Sequence, residues 1–155
     1  MNKAISVWLI LQDGENKGKV VLQKRSSKDS FPFVCQATWA GKVEQGEDES
    51  EALVRECREE LGENFCERLE FPEFQFICKG AFRMKGIDWE SYNYFGKISE
   101  EVLKFVKMHD GAFNNFVYLS QGDEFYPVES GKNPEENVVL FDDQYVVLKK
   151  IFNDN

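Results

Sequence analysis

Residues 41–63, GKVEQGEDESEALVRECREELGE, decide how this chain is read. Asp48 followed by Glu51 has the spacing of a capping box, and Gly62 stands where a helix ends on a left-handed residue. A helix is therefore predicted over residues 48–61. At about 100° per residue, Glu56, Glu59, Glu60 and Glu63 fall within an arc of about 100°, while Leu53, Val54, Cys57 and Leu61 occupy the neighbouring face. One side packs and the other concentrates negative charge. Like charges three and four apart destabilise a helix by about 0.2–0.5 kcal/mol per pair, and only Arg55 and Arg58 lie close enough to offset them. Magnesium is the natural neutralising partner, because it takes a few carboxylates and completes its octahedron with water and substrate phosphates.

Outward from that helix, the composition describes a folded protein. The 155 residues suit one compact domain, expected to span 1–155, and 42% hydrophobic with 14% aromatic residues is too rich for a disordered chain. A formal charge of −9 opposes tight binding to a nucleic-acid polymer or an anionic membrane, since both are polyanions. Small phosphorylated ligands stay compatible where cations screen the acid. The cysteines Cys35, Cys57, Cys66 and Cys78 form no CxxC pair and His109 is the only histidine, which argues against a zinc site and gives no support for disulfides. The apolar run after Met1 is too short to span a bilayer and has no small-residue cleavage pattern. It reads as a strand of a cytoplasmic protein, acting as a monomer or homodimer.

Strands are expected at 4–11 and 19–24, joined by the turn-rich loop Asp13–Gly18. Residues 24–39 read as mostly irregular, with Pro32 opposing regular pairing. Further strands are expected at 74–83, 89–98, 102–108 and 114–119, with Gly86, Gly96 and the pair Asp110-Gly111 as breaks. Tyr145, Leu148 and Phe152 have helical spacing, which predicts a second helix over 141–152. A mixed β-sheet between helices follows, an α/β sandwich.

The quoted stretch resembles the Nudix box, G-x5-E-x7-R-E-U-x-E-E-x-G-U, where U is a bulky aliphatic residue. Gly41, Glu47, Arg55, Glu56, Glu59, Glu60 and Gly62 match its fixed positions; at about 7% per residue type, chance would give this about once in 10⁸ windows. Cys57 and Glu63 depart from it at the two U positions. Cys57 is an apolar substitute that still packs. The resemblance implies a Nudix-type α/β/α sandwich that hydrolyses a diphosphate linkage in a small phosphorylated substrate with Mg2+, or Mn2+ in its place. It implies that Glu56, Glu59 and Glu60 bind metal and act in catalysis, that Glu47 and Arg55 pair to brace the loop onto the helix, and that Gly41 lets the backbone approach the metal. A further carboxylate serves as base in this family, and Glu90, Glu100 and Glu101 are the candidates.

On the substrate side, Leu22–Lys28 followed by Phe31-Pro32 resembles the segment before the box in isopentenyl diphosphate isomerase, a relative of the same fold. Lys24, Arg25 and Lys28 would then contact a diphosphate, as would Lys42 beside the box. The isomerase's cysteine acid and metal-binding histidine correspond here to Ala40 and Lys42, and Cys35 lies several residues away. The intact Arg-Glu-x-x-Glu-Glu run favours hydrolysis over isomerisation, and over a module that binds a phosphorylated ligand without cleaving it. Trp39, Phe82 and Trp89 are candidates for stacking on a nucleobase, although the core can absorb most aromatics.

Overall fold

The computed structural model describes residues 2–107 and 113–153. His109 and the Asp110-Gly111 turn lie outside them. In chain order the elements are β1 (Asn2–Leu11), β2 (Val20–Arg25), β3 (Cys35–Gln36), β4 (Trp39–Lys42), α1 (Glu49–Leu61), α2 (Glu63–Cys66), β5 (Gln75–Met84), β6 (Ile87–Ile98), β7 (Phe113–Leu119), β8 (Tyr126–Pro127), β9 (Val139–Leu140) and α3 (Asp142–Asn153).

β1 is the axis of the sheet, because it is apolar on both faces: Ile5, Val7, Leu9 and Leu11 join the core beneath α1, and Trp8 joins the core beneath α3. A strand covered on both sides takes such a sequence rather than strict alternation. β1 runs parallel to β6 from Asn2↔Trp89 to Leu11↔Ile98. Along its other edge it changes partner. Ala4 to Val7 pair antiparallel with β4, and Leu9 and Ile10 pair antiparallel with β2. Thr38 holds the junction, its Oγ1 accepting from Leu9 N at 2.9 Å and donating to Val21 O at 2.5 Å. The full order is β5-β6-β1-β2-β3-β9-β8, with β4 on β1 and β7 on β2. Parallel and antiparallel pairs mix, and the fold is an α/β sandwich.

α1 begins where the sequence placed it. Asp48 accepts from Glu51 N at 2.8 Å while Asp48 N donates to Glu51 Oε1 at 3.1 Å, the reciprocal capping box. It ends at Gly62, whose φ of 94° suits a residue without Cβ. Ala52, Leu53, Cys57 and Leu61 are the buried face; full burial of one leucine such as Leu61 contributes about 1.5–3 kcal/mol. α3 covers the opposite side with Val147, Leu148, Ile151 and Phe152.

The strand expected at 102–108 is not formed among its described residues, 102–107. Glu100–Phe105 is a 3-10 turn instead, with Val102 N bonded to Ser99 O at 3.1 Å. Asp13 explains the change, since its carboxylate accepts from Ser99 Oγ and Glu100 N, both at 2.8 Å, and pins a turn there. Val102, Leu103, Phe105 and Val106 then pack against the core beneath α1 rather than pairing in a sheet. Among the described residues, no helix is long and apolar enough to cross a membrane.

Candidate active site

Arg55 organises the acidic face. Its Nε and Nη2 form a fork on Glu47, at 2.8 and 3.0 Å, and Nη2 also donates to Lys42 O at 2.8 Å. The side chain thus ties the 44–47 loop and the end of β4 to the helix. Its Nη1 lies between Glu56 Oε1 at 2.9 Å and Glu59 Oε2 at 3.0 Å. The Arg55 hydrogen bond holds the Glu47 carboxyl below its ordinary range, and Glu47 chiefly holds the guanidinium more firmly protonated.

Glu56 is the inner member of the cluster, 15% exposed against 58% for Glu59. Burial pushes its carboxyl up from the usual value, against the pull of Arg55, and Glu59 adds like-charge repulsion. Room for it is made by Gly41: a Cβ at that position would overlap the Glu56 carboxyl group. Gly41 follows Trp39 by two residues on the same face of β4, so its missing side chain faces α1. Glu60 accepts from Ala40 N at 3.3 Å, which ties it to β4.

Among the described residues, no three acidic, cysteine or histidine groups close a metal cage. The donor set nevertheless fits magnesium. All the candidate ligands are hard carboxylate oxygens, and Glu56 and Glu59 already bracket a cationic nitrogen.

Of the base candidates, Glu90 lies on the face of α1. It precedes Tyr92 by two residues on β6, Tyr92 packs against the core beneath α1, and β1 places Glu90 beside Lys3. Lys3 Nζ in turn reaches Glu49 in the first turn of α1, at 3.4 Å. Gly41 and Glu90 are on the same sheet face, two strands and two residues apart, about 12 Å between Cα atoms. Glu100 belongs to the opposite end of β6. It accepts from Asn16 N at 2.9 Å and closes the β1–β2 loop. Eight residues separate the Glu90 and Ile98 positions, roughly 26 Å of strand.

The basic candidates are placed differently. Arg25 is bonded to Asp29 at 2.8 Å and Gln36 at 2.6 Å and lies over the Phe141 ring, and Lys24 Nζ lies over Phe33. Both brace the chain between β2 and β3. Lys42 Nζ sits 5.3 Å above Trp89, on the sheet face away from α1. Phe82 stacks on Trp89 at 5.9 Å. Trp39 is not available for stacking on a ligand, being fully buried with its Nε1 donating to Leu53 O at 2.9 Å. Cys35 is a core thiol that burial pushes up to about 11. Sequence reasoning missed Tyr92, Lys3 and Lys79 around Glu90; the two-residue alternation of β6 was the signal that joins Glu90 to Tyr92.

The class defined by this fold and site is an α/β/α sandwich with a carboxylate-bearing helix braced against one sheet edge. The NUDIX domain model matches residues 2–129, and the chain belongs to that family. It is a Nudix hydrolase. It is 32% identical over 105 residues to an RNA pyrophosphohydrolase of a Nitratiruptor species, covering 64% of this chain and 68% of that one. It is 37% identical over 62 residues to an isopentenyl-diphosphate delta-isomerase of Salmonella heidelberg, where it spans only a third of the relative's length (33%) and 40% of this chain is matched. Its fold is similar to a MutT Nudix hydrolase of Burkholderia pseudomallei, with a TM-score of 0.66, 17% identity and 97% of both chains covered.

Proposed function

We propose that this Nudix hydrolase cleaves a diphosphate linkage in a small phosphorylated metabolite, a nucleoside diphosphate derivative, with magnesium or manganese held by Glu56, Glu59 and Glu60. The observation that carries the reading is the Arg55 Nη1 nitrogen bracketed by Glu56 and Glu59 beside the gap left by Gly41. A divalent cation there offsets the negative charge that builds on the phosphoryl oxygens and acidifies the attacking water. Arg55 and Glu47 keep the loop and helix in register, and Glu60, tethered to the β4 backbone, fixes the inner edge of the site. Glu90 takes the water's proton from the opposite wall. Lys42 lies on the sheet face away from α1 and the Lys24–Arg25 pair is engaged between β2 and β3, so no contact to the diphosphate is assigned to them. The whole chain 1–155 acts as one domain.

Isomerisation is the weaker reading on these residues. Ala40 offers only its backbone N–H to Glu60, and the Cys35 thiol is buried beneath α3. The test is phosphate release, coupled to a phosphatase, from nucleoside triphosphates, nucleoside diphosphate sugars, dinucleotides, isopentenyl diphosphate and triphosphorylated RNA. Metal-dependent release from the nucleoside diphosphate derivatives is expected. Isomerisation of isopentenyl diphosphate without hydrolysis, preference for the RNA, or release that persists in chelator would overturn the reading.

A further inference from the structure

We infer that Tyr92 is a positioning residue for Glu90, fixing one carboxylate oxygen so that the other is presented to the attacking water; this rests on the assignment of Glu90 as base. Tyr92 Oη donates to Glu90 Oε1 at 3.2 Å, while Lys79 Nζ stands 3.9 Å from Oε2, near enough to attract it and too far to hold it in a direct hydrogen bond. The two oxygens are therefore unequal: one is engaged by a neutral donor and the other is steered but open.

Tyr92 is itself held firmly enough to do this. Its ring packs against the core beneath α1, the Phe76 ring lies 6.4 Å from it, and the Lys3 and Lys79 ammonium groups each sit 5.4 Å from its centroid. Ammonium groups over an aromatic face are attracted to its negative quadrupole, so the two lysines add to packing in fixing the ring. Lys3 is tied to Glu49 of α1, which links the orientation of Tyr92 to the carboxylate helix. A base must lie within hydrogen-bond reach of the proton it takes, and its rotamer must hold through the reaction. On this half-buried strand position the glutamate has three rotatable bonds to fix. The Tyr92 hydroxyl, two residues along the same face, supplies that restraint from a rigid element.

In the reaction, the water O–H bond breaks with its proton passing to Glu90 Oε2, the new O–P bond forms, and the bridging P–O bond of the diphosphate breaks, its electron pair leaving on the bridging oxygen of the departing phosphate. Tyr92 donates its hydrogen bond throughout and loses no proton.

The experiment is a kinetic cycle with Tyr92→Phe, Glu90→Gln and the double variant. Phenylalanine keeps the ring, its packing and both lysine contacts, so a purely structural Tyr92 would leave kcat unchanged. Positioning predicts that Tyr92→Phe lowers kcat about 10-fold with KM and melting temperature unaltered, and that the double variant is no slower than Glu90→Gln, itself down at least about 10²-fold. An unchanged kcat in Tyr92→Phe, or losses that multiply in the double variant, would overturn the role of Tyr92. Near-normal turnover in Glu90→Gln would remove the base and the inference together, while loss of activity in Glu59→Gln would show separately that the metal-dependent hydrolase stands.

Discussion

Gly41→Ala tests whether the gap in β4 exists to admit the Glu56 carboxylate. The added Cβ would fall inside the volume of the carboxyl group, closer to its carbon than any real contact allows. Neither neighbour can yield easily, because β4 is paired to β1 at Gly41↔Ile5 and Glu56 is held by Arg55 Nη1 at 2.9 Å. Forcing one methyl group into a packed site costs about 1–3 kcal/mol. For a chain of this size that lowers the melting temperature by roughly 2–12 °C. Turnover should fall with it, because relief of the overlap moves Glu56 off its place beside Glu59 and Glu60. Thermal melts with and without millimolar magnesium are the assay. On the proposed assignment magnesium would bind the native state alone, so it should raise the wild-type midpoint but do so little in Gly41→Ala. The double variant Gly41→Ala/Glu56→Ala removes the colliding atoms, so most of the lost stability returns while turnover stays low. A Gly41→Ala protein that melts and turns over like wild type would refute the reasoning, as would a double variant whose stability losses simply add.

Glu59→Gln and Glu60→Gln should each reduce turnover by at least about 10²-fold with the fold intact, measured as phosphate release beside a far-ultraviolet spectrum; near-normal rates in both would remove the metal assignment. Arg55→Lys should destabilise the chain by about 1–3 kcal/mol in urea unfolding, because one ammonium cannot replace a fork on Glu47 together with bonds to Lys42 O, Glu56 and Glu59. An unchanged midpoint would mean that the loop needs no brace. Asp143→Asn should raise the melting temperature at pH 7. Burial raises the Asp143 carboxyl above its ordinary value, so the folded chain binds that proton more tightly than the unfolded chain, and its charge is a penalty that grows as pH rises through the raised value. The advantage of the variant should narrow as pH falls toward about 4, and a gap independent of pH would exclude this cause.

Those parts of the fold that rest on local patterns were legible in the sequence. α1 announced itself through Asp48, Glu51 and Gly62, since capping and termination are decided within a few residues. β1, β2, β5, β6 and β7 likewise carry their own apolar or alternating runs. The short strands β3, β4, β8 and β9 did not show, because two to four residues hold no period and are strands only through their partners. Residues 102–105 misled for the opposite reason: their apolar content looked strand-like, while the turn is set by Asp13, far away in the chain. The same division runs through the site. Glu56, Glu59 and Glu60 share one helix and could be grouped by angle alone. Their relation to Glu90 depends on β1 lying between β4 and β6, which no spacing reveals.

The structure adds a reason for an arginine, rather than a lysine, in the middle of this cluster. Glu44, Glu47, Glu56 and Glu59 all lie within 3.6 Å of one guanidinium. A point charge could approach two of these groups at once, whereas the planar fork divides its donors. Nε and Nη2 serve the loop, and Nη1 serves Glu56 and Glu59 on the helix. A divalent cation held as proposed by Glu56 and Glu59 would compete with Nη1, while the brace of Nε and Nη2 on Glu47 and Lys42 O would stay in place. The planar fork also explains why burial of Glu56 is tolerated: its cost is shared by a guanidinium that the loop already holds in place.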